Sequence, residues 1–358
     1  MLPALRPAWI AGLILVLMET LADYGAVSVL GVETLTVGIF RVWHGMQSLE
    51  AAAQLATLLL LPVAMLLFAE RRLGRAVPGG GEDGGRRIPL PRAGAALALG
   101  AVLAVLAAAL LIPLLAMIAW ARAHPWPIAR LLALATDTVL LGAAVAAAVT
   151  SLGLALALCE RAGRQAASLR LAVALAGLGY ALPGAVLAVG MLALAAPLAH
   201  APGLSFLGIG SLALLLVALS LRFLRLGHGT AAAGLARIRP SLGEAARTLG
   251  ASRRRRLLAL YLPMLRPSLA AAALLALLET MKELPATLLL RPFGWDTLAV
   301  RIHAYAAEGM WREAAMPGSR PRRPGASRRR LAAAASARHS PAPQGSRDNA
   351  AGPPGPRS

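Results

Sequence analysis

Three observations predict an all-α fold, a polytopic bundle of transmembrane helices. Of the 358 residues 58% are hydrophobic and only 15% are charged, too few to cover a soluble surface. The apolar residues gather into about seven runs near 20 residues long, enough to cross a hydrocarbon core of roughly 30 Å at 1.5 Å per residue. Clusters of arginine separate alternate runs.

In chain order the runs are 9–30, 51–68, 93–120, 131–158, 171–196, 204–224 and 268–290. The first has no small-residue cleavage site standing clear of it and reads as a span rather than a signal peptide. Arginine follows the second run (Arg71, Arg72, Arg75, Arg86, Arg87, Arg92), the fourth (Arg161, Arg164, Arg170) and the sixth (Arg225, Arg237, Arg239, Arg247 and the run 253–256). The other connections mix signs, as in Glu33, Arg41 and Glu50. This is the positive-inside pattern. It places the N-terminus and segments 69–92, 159–169 and 225–266 in the cytoplasm. The formal charge of +20 therefore reads as membrane topology and not as a nucleic-acid surface. The run 253–256 reads as an anchor to anionic lipid headgroups. The remaining excess lies beyond Met316, where nine arginines face one aspartate.

Cys159 is the only cysteine, so neither an internal disulfide nor a cysteine metal site is available. The six histidines have no metal-ligand spacing, and His44, His124, His200 and His303 read as residues of outward-facing connections. No metal and no cofactor is expected. Lys282 is the only lysine, and it follows no glycine-rich loop, so the chain has no phosphate-binding P-loop of its own.

An internal repeat organises the chain. Leu2-Pro3-Ala4-Leu5-Arg6-Pro7 reads like Leu262-Pro263-Met264-Leu265-Arg266-Pro267, and at the same offset Glu19-Thr20 falls on Glu279-Thr280. Three positions of added offset then align Glu33-Thr34-Leu35 with Asp296-Thr297-Leu298, and Glu50-Ala51-Ala52 with Glu313-Ala314-Ala315. The second copy has four runs ahead of Pro263 that the first lacks ahead of Pro3. Residues 1–68 accordingly read as the last two helices of a first half. Residues 69–92 form a glycine-rich cytoplasmic linker, and residues 93–316 a second half of about five spans with a cytoplasmic loop at 225–266. Residues 317–358 form a Pro/Arg-rich tail too polar to fold, suggestive of a frameshift. The expectation is a fragment of a protein with about twelve spans.

Loop 225–266 carries the most specific motif. Glu244-Ala245-Ala246 is followed after three residues by Gly250, and nine residues later by Leu260, Tyr261, Leu262 and Pro263. Pro240 is expected to end the preceding helix. Ser241 and Glu244 have capping-box spacing and predict a short helix over 242–249. Gly250 suits a left-handed close, and a second helix is expected over 252–262. Ala245 and Ala246 offer a small-residue face for another protein.

This spacing resembles the EAA loop of binding-protein-dependent ABC importer permeases, every position of which is met. The resemblance implies a type I (MetI-like) permease architecture in the bacterial inner membrane. It also implies a loop of Glu244, Ala245, Ala246, Gly250, Leu260, Leu262 and Pro263 that docks into a separate dimeric ABC ATPase, and substrate delivery by a periplasmic binding protein. Glu19-Thr20-Leu21-Ala22-Asp23-Tyr24-Gly25, the segment 31–39 and Glu279-Thr280-Met281-Lys282-Glu283-Leu284-Pro285 are similar to the ferric-iron branch, which implies an iron(III) cargo. Thiamine, phosphonate and sulfate remain alternative substrates. A secondary transporter and a non-functional fragment remain alternative readings.

Glu19, Asp23, Glu279, Lys282 and Glu283 lie within or at the ends of spans, where each charge costs roughly 2.5–3.5 kcal/mol on insertion scales and must face protein or water. Helical spacing puts Glu19 with Asp23, and Glu279 with Lys282 and Glu283, on single faces. Either they line the translocation path or they form an internal salt-bridge network.

Overall fold

The structure is a computed structural model, and it describes residues 2–73, 91–122, 128–163, 166–198 and 203–315. The linker centre with Arg75, Arg86 and Arg87, residues Arg164, His124 and His200, and the tail beyond Ala315 lie outside the described residues. The fold is all-α. In order the helices are α1 (Leu2–Ala22), α2 (Gly25–Val29), α3 (Leu35–Met46), α4 (Leu49–Leu73) and α5 (Arg92–Arg122, with a π-helical turn at Ala107–Leu111). Then come α6 (Ile128–Arg161), α7 (Ala167–Ala181), α8 (Gly184–Leu198), α9 (Leu212–Ala236) and α10 (Pro240–Thr248). The last are α11 (Arg253–Lys282, with a π-helical turn at Leu257–Tyr261), α12 (Pro285–Leu290), α13 (Leu298–Ala307) and α14 (Trp311–Ala314).

Five of these are long and apolar enough to cross a membrane, within α4, α5, α6, α9 and α11. Of the seven expected runs three break: 9–30 and 171–196 divide into shorter helices, while 268–290 still contributes to the spanning helix α11. Run 9–30 stops at Ala22, unwinds through Asp23 and Tyr24, and restarts as α2. Run 171–196 divides at Leu182-Pro183, where Leu182 takes an extended backbone (ψ 135°). The proline ring excludes the helical region for the residue before it. Run 268–290 unwinds at Glu283 and Leu284, one step before Pro285 opens α12. Asp23 and Glu283 thus lie beyond the ends of α1 and α11, and the expected helix faces shared with Glu19 and Glu279 do not form. Two boundaries also shift. Helix α4 continues through Glu70, Arg71 and Arg72 to Leu73, so the linker begins later than residue 69. Helix α9 extends to Ala236, so the loop expected from 225 is helical over its first turns.

Glycines set the helix crossings. A Cβ on Gly153 of α6 would lie 2.3 Å from the backbone of Gly227 on α9, and one on Gly227 would lie 2.2 Å from the Val149 carbonyl. Small residues let backbones approach where lipid offers no hydrophobic drive to associate. Helix α11 packs on the same pair, with Ala272 and Ala276 fully buried. The main core joins α3, α4, α6, α8, α9 and α12 around Ile39, Leu59, Val145, Leu192, Leu215 and Phe223. A separate small core of Ala157, Ala231, Leu235, Ile238 and Leu265 sits near the arginine-rich ends of α6 and α9.

The two sequence copies fold alike. Helices α1, α2 and α3 recur as α11, α12 and α13. Gly31 and Gly294 both take positive φ (72° and 78°) in the turns that precede α3 and α13. Thr34 and Thr297 then cap those helices, accepting from the amides of Val37 at 3.3 Å and Val300 at 3.4 Å. Helix α2 of the first copy meets α13 of the second through Tyr24, whose ring stacks on Phe40 at 3.7 Å and tilts against His303 at 5.1 Å.

Candidate functional site

The three broken helices meet at one place. The ends of α1, α7 and α11 and the starts of α2 and α12 surround a cavity of 1080 Å³. Glu19, Asp23, Glu279, Lys282 and Glu283 all line it, so the structure brings together every candidate path residue. Arg222, Arg225, Tyr24 and Tyr180 line it too.

Arg222 ties the breaks together. Its Nη1 donates to the Leu182 carbonyl at 2.8 Å, where α7 ends. Its Nε lies 3.3 Å from Glu283 Oε2, an ionic contact with the two side chains only 12% and 8% exposed. The other oxygen, Oε1, accepts the Ala286 amide at 3.0 Å and so caps α12. Each charge is thereby compensated, as burial away from water demands. Glu279 pairs with Lys282 at 3.0 Å across one helical turn. Asp23 caps α2 through the Ala26 amide at 3.4 Å. Among the described residues neither Glu19 nor Asp23 forms an ion pair, and no three His, Cys, Asp or Glu side chains assemble as a metal-binding group. Glu279, Lys282 and Glu283 are thus paired, while Glu19 and Asp23 line the cavity with no ion pair among the described residues, Lys282 being near enough to Glu19 for their charges to interact.

Sequence reasoning passed over Arg222 and the two tyrosines. A signal existed for Arg222, because an arginine inside an apolar run needs an internal partner. The tyrosines carried none, since an isolated aromatic in a span reads as packing.

The second site is α10 and its flanks. Pro240 does not end the preceding helix but opens α10, where its fixed φ and missing N–H suit the first position. Arg239 becomes the N-cap residue without a side-chain bond, so the expected capping box at Ser241 is not made. Gly250 has φ +78°, and the close is a Schellman turn: Ala251 N donates to Ala246 O at 2.9 Å and Gly250 N to Arg247 O at 3.0 Å. Ser252 caps the next helix through the Arg255 amide at 3.3 Å. That helix does not stop at Leu262. It runs through Pro263 to Lys282, so motif positions Leu260, Leu262 and Pro263 belong to the span itself. Glu244 and Ala245 are exposed and Ala246 half-buried, while Leu242 and Leu249 turn 43% and 87% of their surface outward.

A long, apolar, all-α bundle with broken helices around a charged cavity defines a multi-pass membrane protein. Residues 150–300, from mid-α6 into α13, match the family described as binding-protein-dependent transport system inner membrane component. The match spans both α10 and most of the cavity lining, and the all-α multi-pass bundle is similar in these parts to the inner-membrane permease component of such transport systems. Putative 2-aminoethylphosphonate transport system permease proteins of Salmonella typhimurium, Salmonella choleraesuis and Salmonella paratyphi A are 42% identical over 76 residues. That similarity covers 21% of this chain and 29% of the length of those relatives.

Proposed function

We propose that this chain serves as the transmembrane permease subunit of an ABC importer. The observation that carries the reading is the pairing of α10 with the cavity. A short exposed helix closed by Gly250 is joined by the turn at 249–252 to α11, whose far end supplies Glu279 and Lys282 to the cavity, with Glu283 just beyond it. Motion imposed on α10 from the cytoplasm therefore has a rigid route to the charged site. The complete Glu-Ala-Ala spacing and the family match over 150–300 support an ATPase dimer as the partner at α10. ATP is hydrolysed on that partner and not on this chain. A periplasmic binding protein supplies the cargo on the opposite side, and membrane lipid covers the rest.

For the cargo we take an iron(III) species, on the similarity of segments 19–25, 31–39 and 279–285 to the ferric-iron branch. A second substrate, 2-aminoethylphosphonate, is favoured by the Salmonella relatives. Its ammonium and phosphonate suit a cavity holding four carboxylates and three bases. Deletion of the gene followed by uptake of labelled iron(III) and of 2-aminoethylphosphonate decides between them. Loss of iron uptake alone supports the first cargo, and loss of phosphonate uptake alone replaces it. Wild-type uptake of both, with no other solute affected, defeats the importer reading.

A further inference from the structure

Helix α10 has nine residues, and isolated helices shorter than about 12–15 residues are marginal in water. Its direction must come from what it touches. Its one buried residue is Gly243. A Cβ there would lie 2.3 Å from the Tyr261 hydroxyl oxygen and 3.5 Å from the ring carbon bearing it. Arg256 Nη1 reaches the Gly243 carbonyl at 3.5 Å.

Tyr261 in turn ends the π-helical turn at the base of α11. Such a turn holds one more residue than an α-turn and re-aims the side chains that follow it, and π-turns concentrate at functional sites. The Arg161 guanidinium, at the end of α6, lies 5.4 Å from the centre of the Tyr261 ring. Arg161 Nη2 donates to the Ile238 carbonyl at 2.7 Å and Nη1 to that of Leu235, closing the C-terminal end of α9. Tyr261 also packs on the small core of Leu235, Ile238 and Leu265. One side chain thus connects the short helix to three spans at once.

We propose that Tyr261 is a positioning residue that sets the direction of α10 against α6, α9 and α11, with its hydroxyl edge as the seat for Gly243. The consequence for transport rests on the reading of α10 as the ATPase-docking helix; the seat rests on geometry alone. Gly243 is small because the hydroxyl occupies the space of a methyl group, not because the backbone needs glycine.

The test is a pair of variants that compensate each other in size, made in the full chain in lipid nanodiscs and read by amide hydrogen exchange. Gly243→Ala alone drives its methyl into the hydroxyl, and exchange across 244–250 rises about tenfold. Gly243→Ala with Tyr261→Phe removes the oxygen, leaves the ring carbon at contact distance and restores slow exchange. Tyr261→Phe alone keeps the ring on Arg161 and stays within about twofold of wild type. Equal exchange in Gly243→Ala and wild type, or no rescue in the double variant, overturns the seat. In the assembled transporter the single alanine variant keeps its ATPase but moves less substrate per ATP, and the double variant recovers. Unchanged transport per ATP in a variant with fast exchange overturns the role in coupling. An intact wild-type transporter that binds no ATPase at α10 sinks the importer reading instead, and exchange still decides the seat.

Discussion

Asp23 and Glu283 occupy one position in two copies of a single structural unit. Each amide donates to a threonine three residues back, Asp23 to Thr20 at 3.3 Å and Glu283 to Thr280 at 3.2 Å. Each carboxylate accepts the amide of an alanine three residues on, at 3.4 and 3.0 Å. The two units also touch, since a Cβ on Gly25 would lie 3.1 Å from Leu284. They differ in one partner. Glu283 faces Arg222, whereas Asp23 has no such arginine among the described residues.

That asymmetry predicts unequal costs. Glu283→Ala strands a buried guanidinium and should destabilise the detergent-solubilised protein by about 3–5 kcal/mol. Asp23→Ala removes only a helix cap, for about 1 kcal/mol. A double variant, Glu283→Ala with Arg222→Met, should recover part of the larger loss. Thermal melts of the four proteins check this, and equal losses for the two carboxylates would show that the Arg222 contact carries no weight.

The α6–α9 crossing yields a second prediction. Gly153→Ala places a methyl group 2.3 Å from the Gly227 backbone, which cannot move aside as a flexible side chain can. The helices must separate, at about 1–3 kcal/mol. Gly190 on α8 has nothing within 4 Å of its Cβ position, so Gly190→Ala should be neutral or stabilising by up to ~1 kcal/mol. Folded yield and melting temperature in micelles separate the two outcomes, and a wild-type melt for Gly153→Ala would mean the crossing is looser than drawn.

Much of this architecture was legible because its signals are local. Run length gave the spans of α4, α5, α6, α9 and α11, and Gly250 after a short polar helix gave the left-handed close. The repeat placed Thr20 on Thr280 and Thr34 on Thr297, and those pairs make matching bonds. The breaks at Asp23, Leu182 and Glu283 were hidden because hydropathy averages over them. Pro183 sits in a run as apolar as its surroundings, and a proline within a membrane run is also compatible with an unbroken helix, as Pro62 in α4 demonstrates. What decides between break and tolerance is whether a nearby group takes up the freed backbone. At Leu182 that group is Arg222, 40 positions along the chain. The capping box failed for a different reason: Pro240 fits the first helical position better than Ser241 fits the cap.

His303 gives a pH dependence. It lies on α13, outside the five spanning helices, half-buried against Tyr24. Burial lowers its pKa from the ordinary value, favouring the neutral ring. Below the ordinary histidine value of about 6.5 the unfolded chain therefore binds more protons than the folded one, and stability falls with pH. The contribution is fully present above that value and is lost as pH falls through the folded pKa. His303→Gln should flatten the melting temperature between roughly pH 7 and pH 5. A slope unchanged by the substitution would assign the pH dependence to another group.

Gly250 provides the sharpest test of the α10 reading. Its φ of +78° lies where an L-residue is strained, and no atom comes within 4 Å of its Cβ position. Gly250→Val therefore adds no clash and penalises only the backbone, by about 1–2 kcal/mol. The strained valine should shift toward negative φ, break the bond from Ala251 to the Ala246 carbonyl, and swing α10 away from its angle to α11. The spans do not depend on that turn, so membrane insertion and the charged cavity should survive. Asn is the discriminating control, because it tolerates the left-handed region better than any β-branched residue. In the reconstituted transporter, Gly250→Val should hydrolyse ATP with little substrate uptake, and Gly250→Asn should recover much of the uptake. If valine transported as well as glycine while the ATPase stayed bound, the turn would have no part in coupling, and the short helix would be only a surface loop at the membrane.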